Sequence, residues 1–418
     1  MTKRLILAFV FLSWHLVACS NGDSGISSGL PDKPSAEEDS PGTETISEEM
    51  RVKITGEDLY ISAKLDAKTD ILYWFKKCMF NELFTFYRVG TIDNNMPTPA
   101  TLPDASPTSL LNLAYSDNIG PFNITGYGWC GGNHPYLDEV TQTARNIGYR
   151  IYIDGKEIKT DLSTLTKEIK IEVINEIMNP SKADTSSGKT LLNEILCIET
   201  VNYSIYRNNI QVLITHEFQN ESPVTVQMYY GMQSMFDKET HTLTANGKYV
   251  DWTVQKDVST FTKKEYPSFR RFIEKSANAY QSSYLFADGL GNHEEISDDD
   301  IIFIGNSSNK TYHKIIADRE HKKGDIIHWS GVYTWFKSPV SDDDDLLCYE
   351  GVIDNKKVLF IDCKKSVDRT IQLPVDYTKK SFTIIEKSKS ITITGNKVTA
   401  KGLRIVSDGS GSCVITFD

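Results

Sequence analysis

Apolar and polar residues alternate with a period of two along most of this chain, and that pattern predicts strands. Val212, Ile214, His216 and Phe218 share one side of the segment 210–218, with Leu213, Thr215 and Glu217 on the other. Similar runs predict strands over 51–65, 147–153, 168–174, 196–206, 224–230, 301–304, 311–316 and 326–336. Asp154-Gly155, Arg207-Asn208-Asn209 and Asn220-Glu221-Ser222-Pro223 separate strands as turns. One stretch reads differently. Pro267 stands where a helix would begin, and Phe269, Phe272, Ile273, Ala277 and Tyr280 recur near helical spacing, so a helix is expected over 267–284.

An acidic turn, Ser341-Asp342-Asp343-Asp344-Asp345, is the expected boundary of a second unit. Beyond it the pattern predicts a hairpin, 347–353 with 358–363, and strands over 382–386, 390–394, 403–407 and 413–417. Many short strands with a single helix imply a mainly β protein. The expected architecture is a large antiparallel β-sandwich over 51–340, of supersandwich type, followed by a small C-terminal β-sandwich domain over 341–418.

The first fifty residues follow other rules. Lys3 and Arg4 precede an apolar run that ends in Leu16-Val17-Ala18-Cys19. That run is shorter than the ~20 residues a membrane-spanning helix needs. It resembles a bacterial lipoprotein signal peptide, with residues 1–18 removed. The resemblance implies acylation of Cys19, so that lipid membrane is a partner through two or more acyl chains. Residues 19–50, rich in Ser, Gly, Pro, Asp and Glu, cannot bury enough apolar surface to fold and are read as a disordered acidic tether. Such tethers resemble those of Bacteroidetes lipoproteins, which implies an outer-membrane location, on the cell surface or the periplasmic face.

The net charge of −11 over 418 residues argues against nucleic acid as a partner, since no basic footprint exists. Six cysteines follow Cys19, none in a C-x-x-C pair, so zinc and dithiol redox motifs are not indicated. A symmetric four-residue turn at Asp354-Asn355-Lys356-Lys357 would set Cys348 opposite Cys363, which leaves a disulfide or two buried thiols as alternatives. The acidic runs Asp298–Asp300 and Asp342–Asp345 lack the spacing of a calcium loop and read as solvated turns. No cofactor motif is present.

Chemistry-bearing residues concentrate in Tyr127-Gly128-Trp129-Cys130-Gly131-Gly132-Asn133-His134-Pro135-Tyr136. Trp129 and Tyr136 offer flat apolar faces and Asn133 a hydrogen-bonding amide, a substrate-binding set suited to sugar. His134, with Arg145 downstream, offers proton transfer and charge stabilisation. His216 and Tyr230, on successive strands, are candidate acid or base groups. Each has a packing alternative: a hydrogen-bonded core histidine, and a sheet tyrosine with its hydroxyl at the rim. His328, Trp329 and Trp335 form an aromatic strand read mainly as core.

The stretch from Trp129 to Gln233 resembles large β-sandwich proteins of Bacteroidetes glycan-utilisation systems. The C-terminal unit resembles small β domains appended to polysaccharide lyases and glycoside hydrolases. The resemblance implies a carbohydrate partner, either a polysaccharide or an oligosaccharide. It leaves three readings open: a lyase or hydrolase, a non-catalytic glycan-binding lipoprotein, or a structural surface or adhesion protein.

Overall fold

The computed structural model describes residues 46–100, 111–115, 120–236, 241–251, 259–262, 270–276, 279–286, 300–305 and 310–418. Residues 1–45, with the expected signal peptide, Cys19 and most of the expected tether, lie outside the described residues, as do Pro267, Phe269, Ala277, Asp298 and Asp299. The end of the expected tether is ordered instead: Glu48 pairs with Lys357, and Met50 is a buried strand residue. Thr45–Asp418 is one compact unit. Among the described residues the regular structure is antiparallel strand with two short 3-10 turns, and no α-helix occurs.

Two large sheets, of twelve and ten strands among the described residues, face each other. The twelve-stranded sheet includes Asp58–Lys64, Thr69–Cys78, Gly128–Gly131, Val224–Phe236 and Lys310–His321. The ten-stranded sheet includes Ala144–Ile153, Ile169–Met178, Ile195–Tyr206, Asn209–Phe218, Arg271–Lys275, Tyr280–Leu285 and Ile326–Phe336. Alternation sends every second side chain into the space between them, where Phe75, Phe122, Val201, Tyr203, Ile214, Tyr229, Trp329 and Trp335 form one core.

Two expectations fail here, each for a physical reason. The run 51–65 is a hairpin of Met50–Thr55 and Asp58–Lys64, folded back at Gly56, whose φ is +59°. The helix expected over 267–284 is two paired strands, Arg271–Lys275 and Tyr280–Leu285. Both strands are buried on both faces. Phe272 points to one side and Ile273 to the other, and a continuous apolar run of this kind cannot be told from a helix by period alone.

Residues 341–418 supply the two remaining larger sheets, of five and three strands. Leu347, Tyr349, Val358, Phe360 and Val414, on one face of the five-stranded sheet, pack on Leu243, Ile273, Tyr284, Val332 and Phe336 from the outer face of the ten-stranded sheet. Its other face, with Leu346, Cys348, Leu359, Ile361 and Cys363, packs on Val367, Ile371, Ile391, Leu403 and Ile405. The sheets therefore stack as four successive layers. The Leu346–Ile353 and Lys356–Cys363 hairpin closes through only two residues, Asp354 and Asn355, both in the left-handed region at φ 49° and 58°. Cys348 consequently faces Ile361, and Cys363 faces Leu346. Both are free, buried thiols, so the four-residue turn and its opposed cysteines are corrected.

Charge is buried where the second and third layers meet. The Arg271 guanidinium contacts the Asp362 carboxylate with both side chains at 1% exposure or less. Burial pushes the Asp362 carboxyl up to about 6 even with the cation beside it. Around this pair, Tyr349 OH shares a 2.6 Å hydrogen bond with Ser282 Oγ, and Arg270 Nη1 donates to Glu386 at 2.9 Å. Asp342 accepts from Lys275 Nζ at 2.7 Å, Lys364 Nζ at 2.8 Å and Tyr280 OH at 2.7 Å. Asp343 accepts the amides of Asp345 and Leu346 and pairs with Arg369 at 2.7 Å. The acidic run read as a solvated turn thus holds 341–418 to the large sheets.

Between the large sheets, near the same end, the core turns polar. Gln281 stands opposite Glu274 in register, and Ser234 Oγ lies 2.5 Å from Ser283 Oγ. Glu274 accepts a hydrogen bond from Thr311 Oγ1, yet desolvation raises its carboxyl from 4.5 to about 8. The folded state then holds a proton that the unfolded chain releases above pH 4.5. Stability contributed by this group is therefore complete below pH 4.5 and is lost as pH rises toward 8. At ~1.4 kcal/mol per unit the loss is a few kcal/mol. Glu274→Gln is expected to flatten this decline in denaturation free energies measured from pH 5 to 9. Identical pH slopes for variant and wild type would contradict the assignment.

Candidate functional site

The Gly-rich segment is in part a strand. Gly128–Gly131 pairs with Pro121–Ile124, and the register puts Trp129 opposite Asn123 and Cys130 opposite Phe122. Cys130 and Phe122 enter the core, so Trp129 projects from the outer face of the twelve-stranded sheet. Gly131, at φ 79°, ends the strand, and Asn133 pins the following turn. Its Oδ1 accepts the Leu83 amide at 3.4 Å, and its carbonyl accepts the Phe80 amide at 3.3 Å. Asn133, expected as a sugar ligand, is buried at 1% exposure and holds the turn instead.

Trp129 is the centre of a row of rings. Tyr136 stacks on it at 6.1 Å between centroids and 29° between planes. Tyr230 stacks at 5.6 Å and 26°. Tyr312 continues the row at 4.4 Å from Tyr230, and His134 closes the other end, edge-on to Tyr136 at 5.7 Å. Trp129, His134, Tyr136, Tyr230 and Tyr312 are all half-buried. Tyr312 was not singled out in the sequence. It reaches Tyr230 because irregularities between Tyr229 and Tyr230, and between Gly231 and Ser234, shift the pairing of Val224–Phe236 with Lys310–His321. Alternation alone does not reveal such shifts.

The remaining candidates lie elsewhere. His216 is fully buried inside the sandwich. Its Nε2 lies 2.9 Å from Glu199 Oε2, and its ring sits edge-on to Phe122 and Tyr229 at 4.9 and 5.0 Å. Glu199 Oε1 accepts from Asn175 Nδ2 at 2.9 Å, and Asn175 Oδ1 accepts from Asn146 Nδ2 at 2.9 Å. Pairing places these four residues directly opposite one another on consecutive strands, so they form one polar row across the sheet. His216 is thus the hydrogen-bonded core histidine of the packing alternative. Arg145 follows the buried Ala144, leaves the core on the outer side of the ten-stranded sheet, and pairs with Glu176, its cross-strand neighbour. Burial raises the Tyr230 phenol to about 12, which holds it protonated and opposes its expected use as a base. The structure does not bring His134, His216, Tyr230 and Arg145 to one point. Trp329 and Trp335 are core residues as expected, whereas His328 is exposed.

No family model matches the chain, and no curated protein matches it. Among solved structures it is similar to the GH36 alpha-galactosidase AgaB from Geobacillus stearothermophilus, with a TM-score of 0.39 at 8% identity over 69% of this chain and 41% of that one. It is similar to the galactosidase domain of an alpha-galactosidase-sucrose kinase at TM-score 0.35 and 9% identity, covering 66% and 40%. A polysaccharide lyase gives TM-score 0.27 at 7% identity, covering 82% and 45%. The chain spans less than half the length of these proteins. Likeness of this degree assigns neither activity nor substrate.

The core row makes a direct prediction. His216→Ala leaves Glu199 in the core with Asn175 as its remaining partner, and leaving a buried polar atom unsatisfied in this way costs about 1–3 kcal/mol. Urea denaturation is expected to show a loss of this size. A loss below about 1 kcal/mol, the value of an ordinary exposed pair, would mean that His216 is not held as described.

Proposed function

We propose that the protein is a non-catalytic glycan-binding lipoprotein whose binding surface is the row Tyr136–Trp129–Tyr230–Tyr312. The observation that carries this reading is the ring row itself: four half-buried aromatic side chains in successive contact on an outer sheet face. Sugar rings present apolar C–H faces that stack on such rings, and their hydroxyls reach the polar tips. Two observations disfavour base catalysis by the candidate groups. The phenol of Tyr230 is held protonated, and His216, the other candidate base, is enclosed by Phe122 and Tyr229.

In this reading Cys19 is acylated and holds the protein to the outer membrane. The acidic tether keeps the β body away from lipid, where large polymers are accessible. The carbohydrate partner is a polysaccharide or oligosaccharide of the cell's surroundings.

The test is affinity electrophoresis of the full chain against a panel of plant and host polysaccharides, with and without Trp129→Ala. Loss of the central ring is expected to weaken binding by about tenfold or more, since ~1.4 kcal/mol is one decade. Absorbance of unsaturated uronic-acid products and release of reducing ends are followed in parallel, and neither is expected. Turnover of any polysaccharide, or unchanged binding by Trp129→Ala, would contradict the proposal.

A further inference from the structure

The two-residue turn between Ile195–Tyr206 and Asn209–Phe218 contains an anomaly. Arg207 has a φ of 51°, whereas Asn208 is not in the positive region. A turn with only its first central residue at positive φ follows the type II′ pattern, which ordinarily takes glycine there. A β-carbon is strained at that position, and strain of this kind directs attention to what the arginine side chain does.

The side chain lines a cavity of about 120 Å³ between the large sheets and the C-terminal sheets, with Lys337, Ser338, Glu350, Lys357 and Tyr377 on its walls. The other charged walls are engaged. Lys357 Nζ pairs with Glu48 at 2.8 Å, Lys337 Nζ binds Thr69 Oγ1 at 2.9 Å near Asp66, and Glu350 is hydrogen-bonded to Tyr377. The Arg207 Nε is buried without a hydrogen-bond partner among the described residues. Arg207 is half-buried and lines the cavity, and its planar guanidinium is suited to meet a planar anion. The chain already places one carboxylate nearby. Lys357 first, then Arg207 and Lys167, hold the Glu48 carboxyl below its ordinary range.

We propose that this cavity is a binding site for a carboxylate group, received by Arg207 and flanked by Lys337 and Ser338. It is separate from the ring row and does not depend on the glycan reading. The carboxylate has two possible sources, a uronic-acid sugar or a small free acid.

The test uses thermal melting and titration calorimetry of the full chain with sodium glucuronate, sodium acetate and glucose, each against sodium chloride at matched ionic strength. At least one carboxylate is expected to raise the melting temperature saturably where glucose and chloride do not. An effect of glucuronate alone assigns a sugar-borne carboxylate, and an equal effect of acetate a free one. Arg207→Gly is expected to weaken that effect about tenfold or more while melting no lower than wild type, because glycine relieves the strained turn. Should Arg207→Gly melt lower, Lys337→Met supplies the second readout and is expected to weaken the carboxylate effect as well. Carboxylates acting no differently from chloride on the wild type, or an undiminished effect in either variant, would overturn the proposal.

Discussion

The ten-stranded sheet is buried on both faces at one end, and the rest of the structure depends on that constraint. Its inner side chains meet the twelve-stranded sheet, while Ile273, Tyr284, Val332 and Phe336 leave the other face to meet the C-terminal sheet. Four layers exist only because this sheet serves two cores. The second contact is not purely apolar. It encloses Arg271 and Asp362, ringed by the Ser282–Tyr349 hydrogen bond and the Asp342 cluster. A buried ion pair adds little net stability over an apolar replacement, but losing one partner is costly. Its effect is to penalise every arrangement of the two sheets that leaves either charge alone.

The same accounting of polar groups separates the core row from the surface. Inside an apolar sandwich a polar side chain must find a partner. Asn146, Asn175, Glu199 and His216 do so by standing opposite one another on neighbouring strands. Trp129 and Tyr230 obey the reverse rule. They are large rings on an outward face, supported sideways by each other, with Tyr136 and Tyr312 extending the row. Partnered polar groups inside and stacked rings outside are therefore two results of one alternation.

Much of the fold was legible because hairpins carry their own signals. Asp154-Gly155, both at positive φ, and the clean alternation of Ile195–Tyr206, Asn209–Phe218 and Ile326–Phe336 lie where the sequence pattern puts them. The failures share a cause. Arg271–Lys275 and Tyr280–Leu285 lose their alternation because both faces are buried, and the result imitates a helix. Cys348 and Cys363 miss each other because the turn holds two residues instead of four, and turn length shifts a register by whole residues. Asp342 looked solvated because its partners Lys275 and Tyr280 lie more than sixty positions upstream. Of the candidate site, the link from Trp129 to Tyr136 was legible in one short segment. The contributions of Tyr230 and Tyr312 depend on irregular strand pairing, and the fate of His216 depends on what lies opposite it.

The C-terminal sheets are welded to the large sandwich through the doubly buried sheet. Scanning calorimetry of the full chain tests this most directly. A single cooperative transition is expected, with calorimetric and van't Hoff enthalpies in a ratio of about 1. Two resolved transitions, with residues 341–418 unfolding separately from the large sheets, would contradict it.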